Sequence, residues 1–121
     1  MLLQTNAVLN KAIELGVNYL DVARSYGRGE EFLGNWIKDK NQIVAGAKWG
    51  YYYTADWQVD VEEHEVKEHS LRLLNQQWPI SQKNLGGALK IYHIHSATFE
   101  SGVLKNNKVL NRLAELKSQG I

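Results

Sequence analysis

The chain carries 14 Lys and Arg against 13 Asp and Glu over 121 residues, for a net charge of +1, with no Cys and a single Pro. Hydrophobic residues at 44% and charged residues at 22% are those of a globular protein of about one domain or less, which excludes global disorder. Dispersed charge gives no electrostatic case for nucleic acid or an anionic membrane, and the lack of Cys excludes disulfides and thiolate chemistry and fits a cytoplasmic setting.

Thr5-Asn6 is placed to cap a first helix, in which Val8, Leu9, Ala12 and Ile13 share a face. Gly16 suits its left-handed stop. Val17 to Val22 is short and rich in β-branched and aromatic residues, the pattern of a strand. Ser25 to Gly29 is a turn. Glu30 and Glu31 then open a second helix, whose N-terminus favours carboxylates, with Phe32, Leu33, Trp36 and Ile37 as its apolar face. Gln42 to Lys48 is a second strand, and Tyr51 to Asp60 a long aromatic loop. Val61 to Leu85 patterns as largely helical. Pro79, which lacks an N–H and clashes with the preceding turn, predicts a kink or a helix over only part of that span. Gly86-Gly87 ends it, Ala88 to Ile94 is a third strand, and Val109, Leu110, Leu113 and Leu116 face inward from a last helix stopped by Gly120.

Strands separated by helices imply parallel pairing. Two α/β architectures satisfy this order, an open doubly wound sheet or part of a (β/α)₈ barrel. Both place chemistry at the C-terminal ends of the strands. Asp21, Lys48 and the His93/His95 pair lie there, with Tyr26 in the loop beyond the first strand.

Taken singly, each has an ordinary explanation: a strand-end cap for Asp21, a solvated cation for Lys48, turn packing for Tyr26 and a satisfied polar group for His95. Together they suit proton delivery to a carbonyl oxygen. A free tyrosine, with a pKa near ~10, is a poor acid at neutral pH, and a neighbouring ammonium favours its phenolate. A carboxylate holds the ammonium, and an imidazole orients the carbonyl. Such a set supplies no hydride, so a reducing cofactor is required. His93 and His95 point to one face of their strand and form half of a metal site at most, so no metal is expected. Trp49, Tyr51, Tyr52, Tyr53 and Trp57 either wall a substrate pocket or pack on one another. Gly27-Arg28-Gly29 before a helix is a weak phosphate-loop signal.

The same residues carry a resemblance. Gly16 to Gly27, reading G-V-N-Y-L-D-V-A-R-S-Y-G, followed by Glu30-Glu31-Phe32-Leu33-Gly34, resembles the first signature of the aldo-keto reductases. Ala47-Lys48-Trp49-Gly50 and Leu89 to Ser96, with His95, resemble that family's next two elements, in the same order over essentially the whole chain. Val22 stands where the family usually has Thr, and Lys90 where it usually has Asp. The resemblance implies an incomplete (β/α)₈ barrel over residues 1–121, with about three parallel strands that correspond to strands 2–4 of the family barrel. It implies reduction of a small-molecule aldehyde or ketone with NADPH. Residue by residue, Tyr26 is the proton donor, Lys48 the cation that makes it a better acid, Asp21 the partner of Lys48, and His95 the substrate-orienting imidazole.

A full barrel takes ~250 residues. By resemblance the chain starts inside the family's first helix and stops before its fifth strand, so the segments that hold the cofactor's phosphates lie outside it. Two functions follow as expectations: a fragment of a reductase, inactive by itself, or a non-catalytic product that serves as an interaction module. No apolar run approaches the ~18–20 residues of a membrane helix, and Met1 to Asn6 lack the features of a secretory signal.

Overall fold

The computed structural model describes residues 2–54 and 58–121; Trp57 of the aromatic stretch lies outside them. The elements run α1 (Leu2–Glu14), β1 (Tyr19–Asp21), α2 (Gly29–Ile37), β2 (Val44–Trp49), β3 (Tyr51–Tyr53), β4 (Glu65–Lys67), α3 (Leu71–Leu85), β5 (Leu89–Ile94) and α4 (Asn107–Ser118). Short 3₁₀ turns occupy Gly86–Ala88 and Val103–Lys105.

Helix α1 runs back through the expected Thr5-Asn6 cap, because Leu and Gln before it are good helix formers. Leu9 and Ile13 turn to the core while Val8 stays exposed. The helix ends at Gly16, at φ +95°, with the Gly16 amide donating to Ile13 O at 2.8 Å and the Val17 amide to Ala12 O at 3.0 Å. These bonds are the paired closure of a helix C-terminus. They commit Val17 to the helix end, so the strand predicted over Val17–Val22 shortens to Tyr19–Asp21.

Strands β1, β2 and β5 form a parallel sheet in that order. Tyr19, Leu20 and Asp21 pair with Val44, Ala45 and Gly46, and Lys48 pairs with His93. The register slips between Ala45 and Gly46, which steps over Lys90. On one face of the sheet, Ala45, Ala47 and Trp49 are fully buried. They form a single core with Leu33 and Ile37 of α2, Leu74, Trp78 and Leu85 of α3, and Val109 and Leu116 of α4. Each fully buried Leu or Ile contributes about 1.5–3 kcal/mol. A Cβ on Gly34 would overlap the Asn84 carbonyl oxygen, so α2 and α3 approach backbone to backbone there. Glu30 is fully buried between them, accepting from Ser81 Oγ at 2.6 Å, Arg24 Nη1 at 2.9 Å and Asn84 Nδ2 at 3.2 Å.

The other face carries Tyr19, Asp21, Lys48, Ile91 and His93, with Tyr19 38% and Ile91 42% exposed. A doubly wound sheet is covered on both faces, whereas a barrel wall has helices only outside. The one-sided cover is that of a partial (β/α)₈ barrel.

Two expectations are corrected between β2 and α3. The aromatic loop begins as a strand: β3 pairs antiparallel with β4, Tyr51 opposite Lys67 and Tyr53 opposite Glu65. Consecutive tyrosines favour an extended, half-buried ribbon, and Gly50 at φ +118° turns the chain out of the main sheet. The helix expected from Val61 begins only at Leu71, because Ser70 caps it by accepting from the Leu73 amide at 3.1 Å. It then continues through Pro79. Burial of Leu74, Trp78 and Leu85 on either side offsets the lost backbone bond.

Candidate active site

Asp21 closes β1, and Lys48 lies near the end of β2 on the same face. Lys48 Nζ is bonded to Asp21 Oδ2 and lies 3.3 Å from the Val22 carbonyl oxygen. Gly46, between them in register, has no room for a side chain: a Cβ would overlap the Tyr19 hydroxyl and lie 3.1 Å from Asp21 Oδ1. Beyond β1 the chain turns sharply, with the Tyr26 amide donating to Ala23 O at 3.1 Å and the Gly29 amide to Tyr26 O at 3.0 Å. That turn puts the Tyr26 ring beneath the Lys48 ammonium, 5.3 Å from Nζ to the ring centroid. Tyr26 remains 49% exposed.

His95 follows β5, its amide donating to Trp49 O at 2.8 Å. Its ring meets Tyr26 edge-on, with centroids 5.7 Å apart at 90°, and Tyr51 at a tilt, 4.7 Å away. Its Nδ1 lies 3.5 Å from Ser25 Oγ. Burial pushes its pKa below the usual 6.5, with the Glu65 charge opposing and the Lys48 charge assisting. The ring is therefore neutral at neutral pH and has one N–H to donate. Asp21, Tyr26, Lys48 and His95 thus converge at the C-terminal end of the sheet.

His93 shares their face but takes another partner, its Nε2 lying 3.4 Å from the Tyr19 hydroxyl. Among the described residues, no group of three His, Asp or Glu side chains is placed to hold a metal ion.

Tyr19 and Gln77 contribute here and were not singled out from sequence. Tyr19, with its hydroxyl 3.4 Å from Asp21 Oδ1, was within reach, because it lies two residues before Asp21 on a strand and so shares its face. Burial, then the Asp21 charge, raises its pKa and keeps it a phenol. Tyr51 faces His95, whereas Trp49 lies buried on the opposite face and walls no pocket. Gln77, from α3, accepts from the Gly50 amide at 3.0 Å and donates to Tyr51 O at 2.7 Å, which fixes the start of the hairpin. No local signal marks that long-range contact.

Tyr26 is half exposed beside His95, so these groups stay open to solvent. In Gly27-Arg28-Gly29, a Cβ on Gly29 would meet Val22 Cγ2 at 3.1 Å and Tyr26 Cβ at 3.5 Å. That glycine serves close packing, and the Arg28 charge is already paired with Glu31 at 2.6 Å.

A family model described as the aldo/keto reductase family matches residues 3–121. YqkF of Bacillus subtilis, described as an uncharacterized oxidoreductase, is 29% identical over 124 aligned residues, which cover 95% of this chain and 36% of YqkF. Two solved structures from Pseudomonas aeruginosa, each described as a candidate aldo-keto reductase, superpose over 99% of this chain. PA4992 does so at TM-score 0.81 and 27% identity, and the second at 0.82 and 26%. The chain spans 46% and 45% of the chains in those two structures and 36% of YqkF, under half the length of the relatives it matches.

Proposed function

This chain belongs to the aldo/keto reductase family, and from that premise we propose that it carries the proton-delivering half of an NADPH-dependent reductase of small aldehydes or ketones. The observation that carries this reading is the half-exposed Tyr26 ring, flanked by the Lys48 ammonium at 5.3 Å and the neutral His95 ring at 5.7 Å. His95 donates its N–H to the substrate oxygen and sets the carbonyl's orientation. Tyr26 gives its phenolic proton to that oxygen as negative charge develops on it. The Lys48 cation stabilises the phenolate left behind, and Asp21 anchors the cation. A reduced nicotinamide, when bound, supplies the hydride.

Replacing Tyr26 by Phe in the whole protein tests the assignment. Turnover of an aromatic aldehyde is expected to fall ~10²–10⁴-fold with cofactor affinity unchanged. Near-normal turnover would remove Tyr26 from the chemistry.

A second, non-catalytic reading draws on β1 and β5, whose outer edges pair with no strand among the described residues. Open parallel edges recruit partner strands. The flanking coding sequence separates the two: a continuous reading frame beyond Met1 or Ile121 that encodes further strand–helix units favours the enzyme, and the absence of such units together with a strand-paired oligomer of the purified chain favours the module.

A further inference from the structure

We propose that His69 is a positioning residue for His95, fixing that residue's backbone so that its imidazole stays against Tyr26; the catalytic consequence rests on the reductase reading above. His69 precedes the Ser70 cap of α3 and reaches across to the end of β5. Its Nε2 lies 2.7 Å from the His95 carbonyl oxygen. A carbonyl only accepts, so Nε2 carries the hydrogen. Its Nδ1 is buried and has no hydrogen-bond partner among the described residues, and burial lowers the ring's pKa, so the ring is a neutral single donor.

The placement of His69 is built into the fold. Its ring fills the notch left by Gly50, where a Cβ would lie 2.5 Å from the ring's Cδ2. Trp49 and Tyr51 pack edge-on against it at 5.8 and 6.4 Å. The backbone it holds is an awkward one. Ser96, directly after His95, is the one non-glycine residue at positive φ (+51°) among those described. The His95 amide is tied to β2, so the His69 bond secures the other side of the same residue, just before the strained turn. Without that bond the His95 carbonyl is free to turn, and a change of φ and ψ at His95 taken up on the N-terminal side would tilt its Cα–Cβ bond and move the ring off Tyr26.

Three variants separate this role from simple packing. Gln at 69 places an amide N–H near the position of Nε2, Asn places one near Nδ1, and Leu removes the donor while filling the space. In ¹⁵N-histidine-labelled full chain, the His95 ring resonances are expected to stay in place in His69→Gln and to shift in His69→Asn and His69→Leu. In carbonyl reduction by the whole protein, kcat is expected to drop roughly tenfold or more for Asn and Leu, with KM changing less, and to recover with Gln. A Gln variant that disturbs His95 as much as Asn, or a His95 signal unmoved by any of the three, overturns the proposal. Should the Leu variant fail to fold, the Gln–Asn contrast decides alone. Full activity in Tyr26→Phe would remove Tyr26 as the proton donor, and no carbonyl reduction by the whole protein would sink the reductase reading, while the His95 resonances would still decide whether His69 positions His95.

Discussion

Lys48 and Trp49 are neighbours on β2 and face opposite ways. Trp49 is fully buried among α2, α3 and α4, whereas Lys48 sits on the open face with Asp21, beneath which lies Tyr26. The pleat separates two tasks with one residue of spacing. Helices cover one face and supply most of the apolar burial. The other face keeps its polar groups near solvent, where a charge pair is cheap to maintain and adds little stability. The same strand can therefore anchor the fold and present chemistry, and changes on the two faces have different consequences.

The largest expected effect breaks the covered face. Trp49→Ala should lower stability by about 3–5 kcal/mol, a large part of the ~5–15 kcal/mol typical of a whole domain. Lys48→Met, one residue away, should change stability by less than ~1 kcal/mol, because the Asp21 carboxylate it leaves is more than a third exposed. Urea midpoints compare the two directly. Equal losses would mean that the faces are not separate in energy.

A smaller effect comes from the polar group inside the covered layer. Glu30→Gln keeps the shape but strips the charge that Arg24, Ser81 and Asn84 converge on, and should cost about 1–3 kcal/mol. Thermal unfolding at fixed pH measures it. No loss of stability would show that shape alone joins α2 to α3.

The smallest effect is on the pH dependence of stability, at the boundary between the faces. Burial holds His69 and His95 below their usual value of 6.5. Around and below that value the unfolded chain takes up protons that the folded chain refuses, so stability declines as pH falls through 6.5. Glu31, held low by its bond to Arg28, and Glu68, held low by Ser70 and then Arg72, add their losses only below their ordinary value of 4.5. Replacing both histidines by Gln should flatten the upper part of the profile in urea titrations. An unchanged slope would assign the decline to other groups.

Pattern alone marked Asp21 and Lys48 as candidates, because strand-end position and face follow from a period of two along the chain, and Tyr26 was marked by its place in the loop just beyond the first strand. His95 was marked by its place just past the third strand. The β3–β4 hairpin escaped that logic, since its strands are only three residues each and read equally well as an aromatic loop and a helix start. Gln77 and the role of His69 escaped it as well, and Tyr51 was marked only as one of an aromatic run. Gln77 meets the Gly50 and Tyr51 backbone from 27 and 26 positions away, and His69 meets His95 across 26.

The sequence by itself determined the order of the helices and of the three strands of the main sheet, their parallel pairing and the face on which each of their residues falls, because these depend on periodicity and on glycine and capping signals within a few residues. Tertiary structure alone decided that the helices cover one side of the sheet and that Gly46, Gly50 and Gly34 are notches for Tyr19, His69 and the α3 backbone. It also decided that His95 is gripped from α3's doorstep. Those outcomes depend on the close packing of side chains far apart in the chain, where a single methyl group decides what fits, and no local pattern records that.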